Sequence, residues 1–175
     1  MQVYLIRHTH VGVPRGTCYG QTDVPVADTF EEEATITKHN LEGIIFDKVY
    51  SSPLTRAYML ACFCGYPEAE HDDRLKEMYM GQWEMQKYDE IKDDALQMWY
   101  KDYMHLACTG GESYQMLYAR VKSFFDELKT KNYQRVAIFA HGGVLICAGV
   151  YAHLFPEENA FSNLTDCGGI EVIDI

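Results

Sequence analysis

The chain has 175 residues, 47% of them hydrophobic and 23% charged, with a formal net charge of −11. That length and balance suit a single domain over residues 1–175 with a sizeable core. The acidity argues against nucleic acid or an anionic membrane as a partner, since both select clustered Lys and Arg; an anionic substrate must be held by a local positive pocket against the overall field.

Gln2 to Ile6 reads as a short buried strand, β-branched at Val3 and Ile6. Thr29 to about Glu42 reads as a helix, with Thr29 and Glu32 as a capping box and Phe30, Ala34, Thr37 and Leu41 on one face. Gly43 ends it. Asp47 to Ser51 is a second strand. Pro53 opens a helix that runs to about Cys64, with Gly65 behind it. Glu68 to Trp83 reads as a short extended piece and then a loop around Gly81. Asp89 to about Tyr103 is expected to be helical, with Ile91, Ala95, Met98 and Trp99 inward. Glu112 to Lys131 is a further helix with Leu117, Val121, Phe124 and Leu128 in line. "RVAIFA", Arg135 to Ala140, is a strand, Gly142 to about Leu154 a helix, and Gly169 to Ile175 a last strand. Strands alternating with helices predict an α/β fold, a three-layer α/β/α arrangement around a mostly parallel sheet. The region from about 89 to 131 is expected to form a helical cap over one sheet edge.

None of the six cysteines forms a CxxC pair, no basic leader precedes the first strand, and no apolar stretch reaches transmembrane length. A cytoplasmic protein with reduced thiols is expected. Oligomeric state leaves no mark in the sequence.

In an open α/β sheet, ligands bind at the carboxyl ends of the strands. The first strand ends in Arg7-His8. The second ends in Ser51-Ser52-Pro53, with Arg56 close behind. "RVAIFA" ends in His141-Gly142-Gly143, which opens a helix. Two Arg, two His and a helix start therefore gather at one edge. Forked guanidinium groups and free helix N–H groups suit a phosphate or sulfate dianion. Neutral imidazole is a nucleophile near neutral pH, and His8 lies inside the cluster. A leaving alkoxide needs a general acid, for which "RLKEMYMGQWE" offers Glu77 and Glu84. Residue chemistry alone does not choose between them.

Five segments, "LIRHT" (5–9), "YSSPLTRA" (50–57), "LKEMYMGQWE" (75–84), "GGES" (110–113) and "AHGGVL" (140–145), resemble the histidine phosphatase superfamily, whose fold is phosphoglycerate mutase-like, and occur in its order. The resemblance implies that His8 is the phosphorylated nucleophile, that Arg7, Arg56 and His141 clamp the phosphoryl oxygens, and that Glu77 is the proton donor. It implies no metal and no other cofactor, and a small phosphorylated substrate as partner. Within the superfamily, "RGTCYGQTDVPVA" (15–27) is most similar to alpha-ribazole phosphatases, with Val26 where Leu is usual. Candidate substrate contacts are Thr9, Cys18, Tyr19, Gly20, Gln21, Glu84 and Gly142. Of these, Tyr19 suits an aromatic base or sugar, and Cys18 reads as a small buried side chain. Thr109 before "GGES" and Met85 after Glu84 depart from the family pattern away from the proposed chemistry.

Three other readings are open to test. A broad-specificity phosphatase or a mutase keeps the pocket and changes the substrate or the phosphoryl acceptor. His8 and His10 form an HxH that could serve zinc with His141, but Arg7 and Arg56 would repel the cation and alternate strand residues face apart. A non-catalytic binder of phosphorylated ligands has no need of a proton donor.

Overall fold

A computed structural model describes residues 1–175. Its centre is the strand "RVAIFA". Alternation along this strand assigns the two faces of the sheet: Val136, Ile138 and Ala140 belong to one buried cluster, Ala137 and Phe139 to another. The strands are β1 (Gln2–Arg7), β2 (Lys48–Ser51), β3 (Glu70–His71), β4 (Arg135–Ala140) and β5 (Ile170–Asp174), in the order β3-β2-β4-β1-β5. All pairings are parallel except β5 on β1, which is antiparallel. The mostly parallel sheet is thus as expected, with one reversed edge strand.

Helices α1 (Phe30–Asn40) and α2 (Thr55–Phe63) cover one face through Ala34, Leu60 and Ala61. Further along are α3 (Ala95–Trp99), α4 (Tyr114–Leu128) and α5 (Gly142–Tyr151). α5 is apolar nearly all round because it lies between the sheet and α4. α4 turns Leu117, Val121, Phe124 and Leu128 inward, as its spacing predicts, each burial worth about 1.5–3 kcal/mol. Ser113 caps it by accepting from Met116 N. The result is three layers, α/β/α. No helix is long and apolar enough to cross a membrane.

Two local expectations change. The Thr29–Glu32 capping box does not form; the Thr29 hydroxyl donates to Glu33 instead, 2.5 Å away. The helix expected over 89–103 shrinks to Ala95–Trp99, with Leu96 buried and Met98 58% exposed. Asp93 explains this. Its carboxylate accepts from Ala95 N, Trp83 Nε1 and Thr109 Oγ1, so the chain is tied sideways before α3 and cannot continue a helix through it. Within 89–131, α3 and its flanks bring Trp99 and Tyr103 to a cavity, whereas α4 is a layer helix packed on α5.

Candidate active site

The parallel pairing brings the carboxyl ends of β1, β2 and β4 to one edge. His8 N bonds to Ala140 O at 3.0 Å and Ser52 N to Phe139 O at 2.8 Å, so the three strand ends are locked in register. His8, Ser52, Arg56 and His141 are all buried there.

His8 Nδ1 lies 2.6 Å from the carbonyl oxygen of Thr9. A carbonyl only accepts, so Nδ1 carries the hydrogen and Nε2 of the neutral ring keeps its lone pair. Burial, and then the neighbouring Arg56 charge, lower the His8 pKa to about 3. The ring is therefore a neutral nucleophile at physiological pH, and the two adjacent arginines reinforce this because their charge opposes a second cation beside them. The His141 ring centroid is 5.2 Å away. Its Nε2 pairs with Ser52 Oγ at 2.7 Å, and burial followed by Arg56 lowers its pKa well below the ordinary value.

Arg56 is fully buried. Its Nη1 and Nη2 donate to the carbonyls of Thr22 and Gly20, and its plane lies 5.3 Å from the Tyr19 ring. Arg7 Nη1 donates to Thr165 O. What is left over is informative. Arg7 Nε, Arg56 Nε, His141 Nδ1 and Thr9 Oγ1 are buried without a protein partner. A buried unsatisfied polar group costs about 1–3 kcal/mol; four of them at one edge, two on permanent cations, make a set suited to an anion.

Glu77 reaches the same edge from the irregular segment after Leu75. Its Oε1 accepts from Met78 N at 2.8 Å and its Oε2 from Gly143 N at 3.1 Å. The paired glycines are what permit this. A Cβ on Gly143 would lie 2.3 Å from Glu77 Oε1, and one on Gly142 would lie 3.3 Å from Arg7 Nε. One helix N–H that the sequence suggested for an anion is thus used by Glu77.

The substrate contacts expected from sequence divide. Tyr19 and Gly142 line a cavity of about 220 Å³ together with Arg7 and Glu77. Thr9, Cys18, Gly20, Gln21 and Glu84 are not in its lining. Glu84 instead braces the loop: its carboxylate accepts from Gln21 N, Thr22 N, Thr22 Oγ1 and Met80 N. Gly20 packs so closely that a Cβ would fall 2.0 Å from Met78 O. Gln21 Nε2 donates to Glu77 O, and Asp23 accepts from Thr55 N at the start of α2. Residues 20–23 therefore build the seat of Arg56 and Glu77. Cys18 is fully buried, as read. His10 faces Glu33, 3.0 Å away, and no three His, Cys, Asp or Glu side chains are grouped to hold a metal ion.

Sequence reasoning missed the cavity's other wall. Met78, Met80, Tyr88, Trp99, Tyr103, Leu117, Ile146, Phe161 and Leu164 line it. They come from six separate stretches of chain, so no local spacing announces them.

Residues 3–175 match the sequence model of the histidine phosphatase superfamily, branch 1. The chain belongs to that superfamily. Its resemblance to this family, read from five short motifs, is thus upheld over the whole chain, and it is a phosphatase acting on small phosphorylated substrates. An adenosylcobalamin/alpha-ribazole phosphatase of Escherichia coli is 30% identical, with 100% of this chain and 90% of that protein covered. Phosphoserine phosphatase 1 of Hydrogenobacter thermophilus is 26% identical over 81% of this chain and 71% of its own. The crystal structure of the alpha-ribazole phosphatase from Shigella flexneri superposes with a TM-score of 0.90 at 30% identity, covering 100% of this chain and 91% of that one.

The two buried imidazoles of this histidine phosphatase predict its acid sensitivity. Unfolded, each takes up a proton near pH 6.5; folded, His8 does so only at about 3, and His141 well below 6.5. Between those values the unfolded state binds more protons, so stability falls as the pH drops below 6.5. Two such groups give a slope of about 2.7 kcal/mol per pH unit at its steepest. Urea midpoints at pH 7, 6 and 5 measure this, and a flat profile would mean that the imidazoles are charged in the native state.

Proposed function

We propose that the protein hydrolyses a phosphate monoester through a phosphohistidine on His8, with residues 1–175 acting as one catalytic domain, and that its substrate is alpha-ribazole 5'-phosphate, in the building of the lower ligand of cobalamin. In the first step His8 Nε2 attacks phosphorus in line. The P–N bond forms, the P–O bond to the sugar breaks, and protonated Glu77 gives its proton to the leaving oxygen. Arg7, Arg56 and His141 hold the equatorial oxygens. In the second step water attacks phosphorus, Glu77 takes its proton, and the P–N bond breaks to release inorganic phosphate and neutral His8.

The observation that carries the substrate is the cavity. Its lining joins Arg7, Glu77 and the glycines of α5 to side chains that are otherwise sulfur, aliphatic and aromatic. A leaving group with a flat apolar ring gains from burial there, by about 25 cal/mol per Å². A serine or glycerate leaving group would bring extra charge against the same wall, which costs free energy unless it is paired. The 30% identity to the Escherichia coli phosphatase supports the same reading, and six unpaired cysteines support a cytoplasmic location. The relation to phosphoserine phosphatase 1 names the competitor. We expect kcat/KM for alpha-ribazole 5'-phosphate to exceed that for phosphoserine by about 10²-fold or more, the equivalent of one buried ring. Equal or faster turnover of phosphoserine would overturn the substrate and leave the phosphatase standing.

A further inference from the structure

The segment that carries Glu77 is irregular from Lys76 to Met80. Its carbonyl groups lie outside any helix or strand ladder, so they need partners from elsewhere. One side chain supplies two of them and also takes the carbonyl of Arg74 in the short 3-10 turn Asp73–Leu75 just before. Arg120, on α4, donates from Nη1 to Arg74 O at 2.8 Å and Lys76 O at 2.6 Å, and from Nη2 to Glu77 O at 2.8 Å. Its remaining two N–H groups go to Glu112, Nε to Oε1 and Nη2 to Oε2, both at 2.9 Å. All five donors of the guanidinium are thereby used. Glu112 in turn accepts from Tyr79 N at 2.8 Å, and its own N–H donates to Tyr79 O at 2.7 Å. The pair therefore grips the chain on both sides of Glu77, and it is mostly buried, at 18% and 15% exposure.

We propose that Arg120, oriented by Glu112, is the positioning residue that holds the Glu77 carboxyl at the leaving oxygen. It does not touch substrate and is absent from the cavity lining. The proposal rests on the reading of Glu77 as proton donor. The side chain of Glu77 is fixed only by Met78 N and Gly143 N, so a shift of its main chain moves the carboxyl directly. Lys cannot substitute, because three tetrahedral donors do not reach three carbonyls and a carboxylate in one plane. A displacement of about 1 Å in a catalytic group is worth about 10²-fold in rate.

The discriminating measurement is the ratio of kcat/KM for an alkyl phosphate to that for p-nitrophenyl phosphate. kcat/KM reports phosphoryl transfer to His8, and nitrophenolate leaves without a proton. Taken within one preparation, the ratio is independent of the fraction folded. Arg120→Lys is expected to lower it by about 10²-fold, as is Glu112→Gln, which serves if the first variant folds poorly. Glu77→Gln sets the scale, and in its background Arg120→Lys is expected to change the ratio by less than about twofold, since the two act through one proton. If Glu77→Gln shifts the ratio while both other variants lower the two substrates equally, Arg120 is merely structural and the proposal falls. If Glu77→Gln itself leaves the ratio unchanged, the proton-donor reading falls and takes the proposal with it.

Discussion

His8→Ala is expected to lower turnover of every phosphate monoester by about 10⁴-fold or more, the scale seen when a covalent nucleophile is removed. The reason is geometric. His8 Nδ1 is committed to Thr9 O, which leaves Nε2 as the basic nitrogen, and the ring is neutral because it is buried beside Arg56. No second neutral nucleophile is placed to substitute: His141 Nε2 is engaged by Ser52 Oγ. Acid-free quenching during turnover of a ³²P-labelled ester should trap label on the wild-type chain, stable to base and lost in acid, and none on His8→Ala. Substantial activity in the variant would overturn the covalent mechanism. Label retained without His8 would move the nucleophile elsewhere.

The parts of this site that were legible in the sequence are those attached to regular elements. Arg7-His8 and His141 follow strands whose β-branched and apolar runs mark them, and parallel pairing leaves their carboxyl ends on one side. The sheet and four of the helices follow from the same periodicity. α3 did not, because a single carboxylate, Asp93, ties three separate donors and outweighs helical spacing. The loop 15–27 was legible as a motif, but its packing against the scaffold was not. Gly20, Gln21 and Thr22 are engaged with Met78, Glu84 and Arg56, and Tyr19 is the residue of this loop that lines the cavity. Arg120 left one faint trace, a cation beside the buried Leu117–Val121 face of α4, near the "GGES" glutamate. Such a placement is common for solvated arginines. What gives it meaning is the irregular backbone across from it, and irregular backbone has no period to read.

That distinction between regular and irregular chain also frames the proton donor. Glu77→Gln keeps the shape of the side chain and removes the transferable proton. It also sets an amide NH₂ against one of two backbone donors, Met78 N or Gly143 N, which the carboxylate satisfies together. We expect kcat/KM for an alkyl phosphate to fall by 10²–10⁴-fold, about the value of general acid catalysis, and that for p-nitrophenyl phosphate to fall by less than about tenfold, since its leaving group needs no proton. The second step still requires removal of a proton from water. With the aryl ester, therefore, Glu77→Gln should release one equivalent of nitrophenol per site in a burst and then turn over slowly, with phosphohistidine accumulating. Rapid-mixing absorbance measures both phases. If kcat/KM falls by the same factor for the alkyl and aryl esters and no burst appears, Glu77 is shaping the site and not moving the proton.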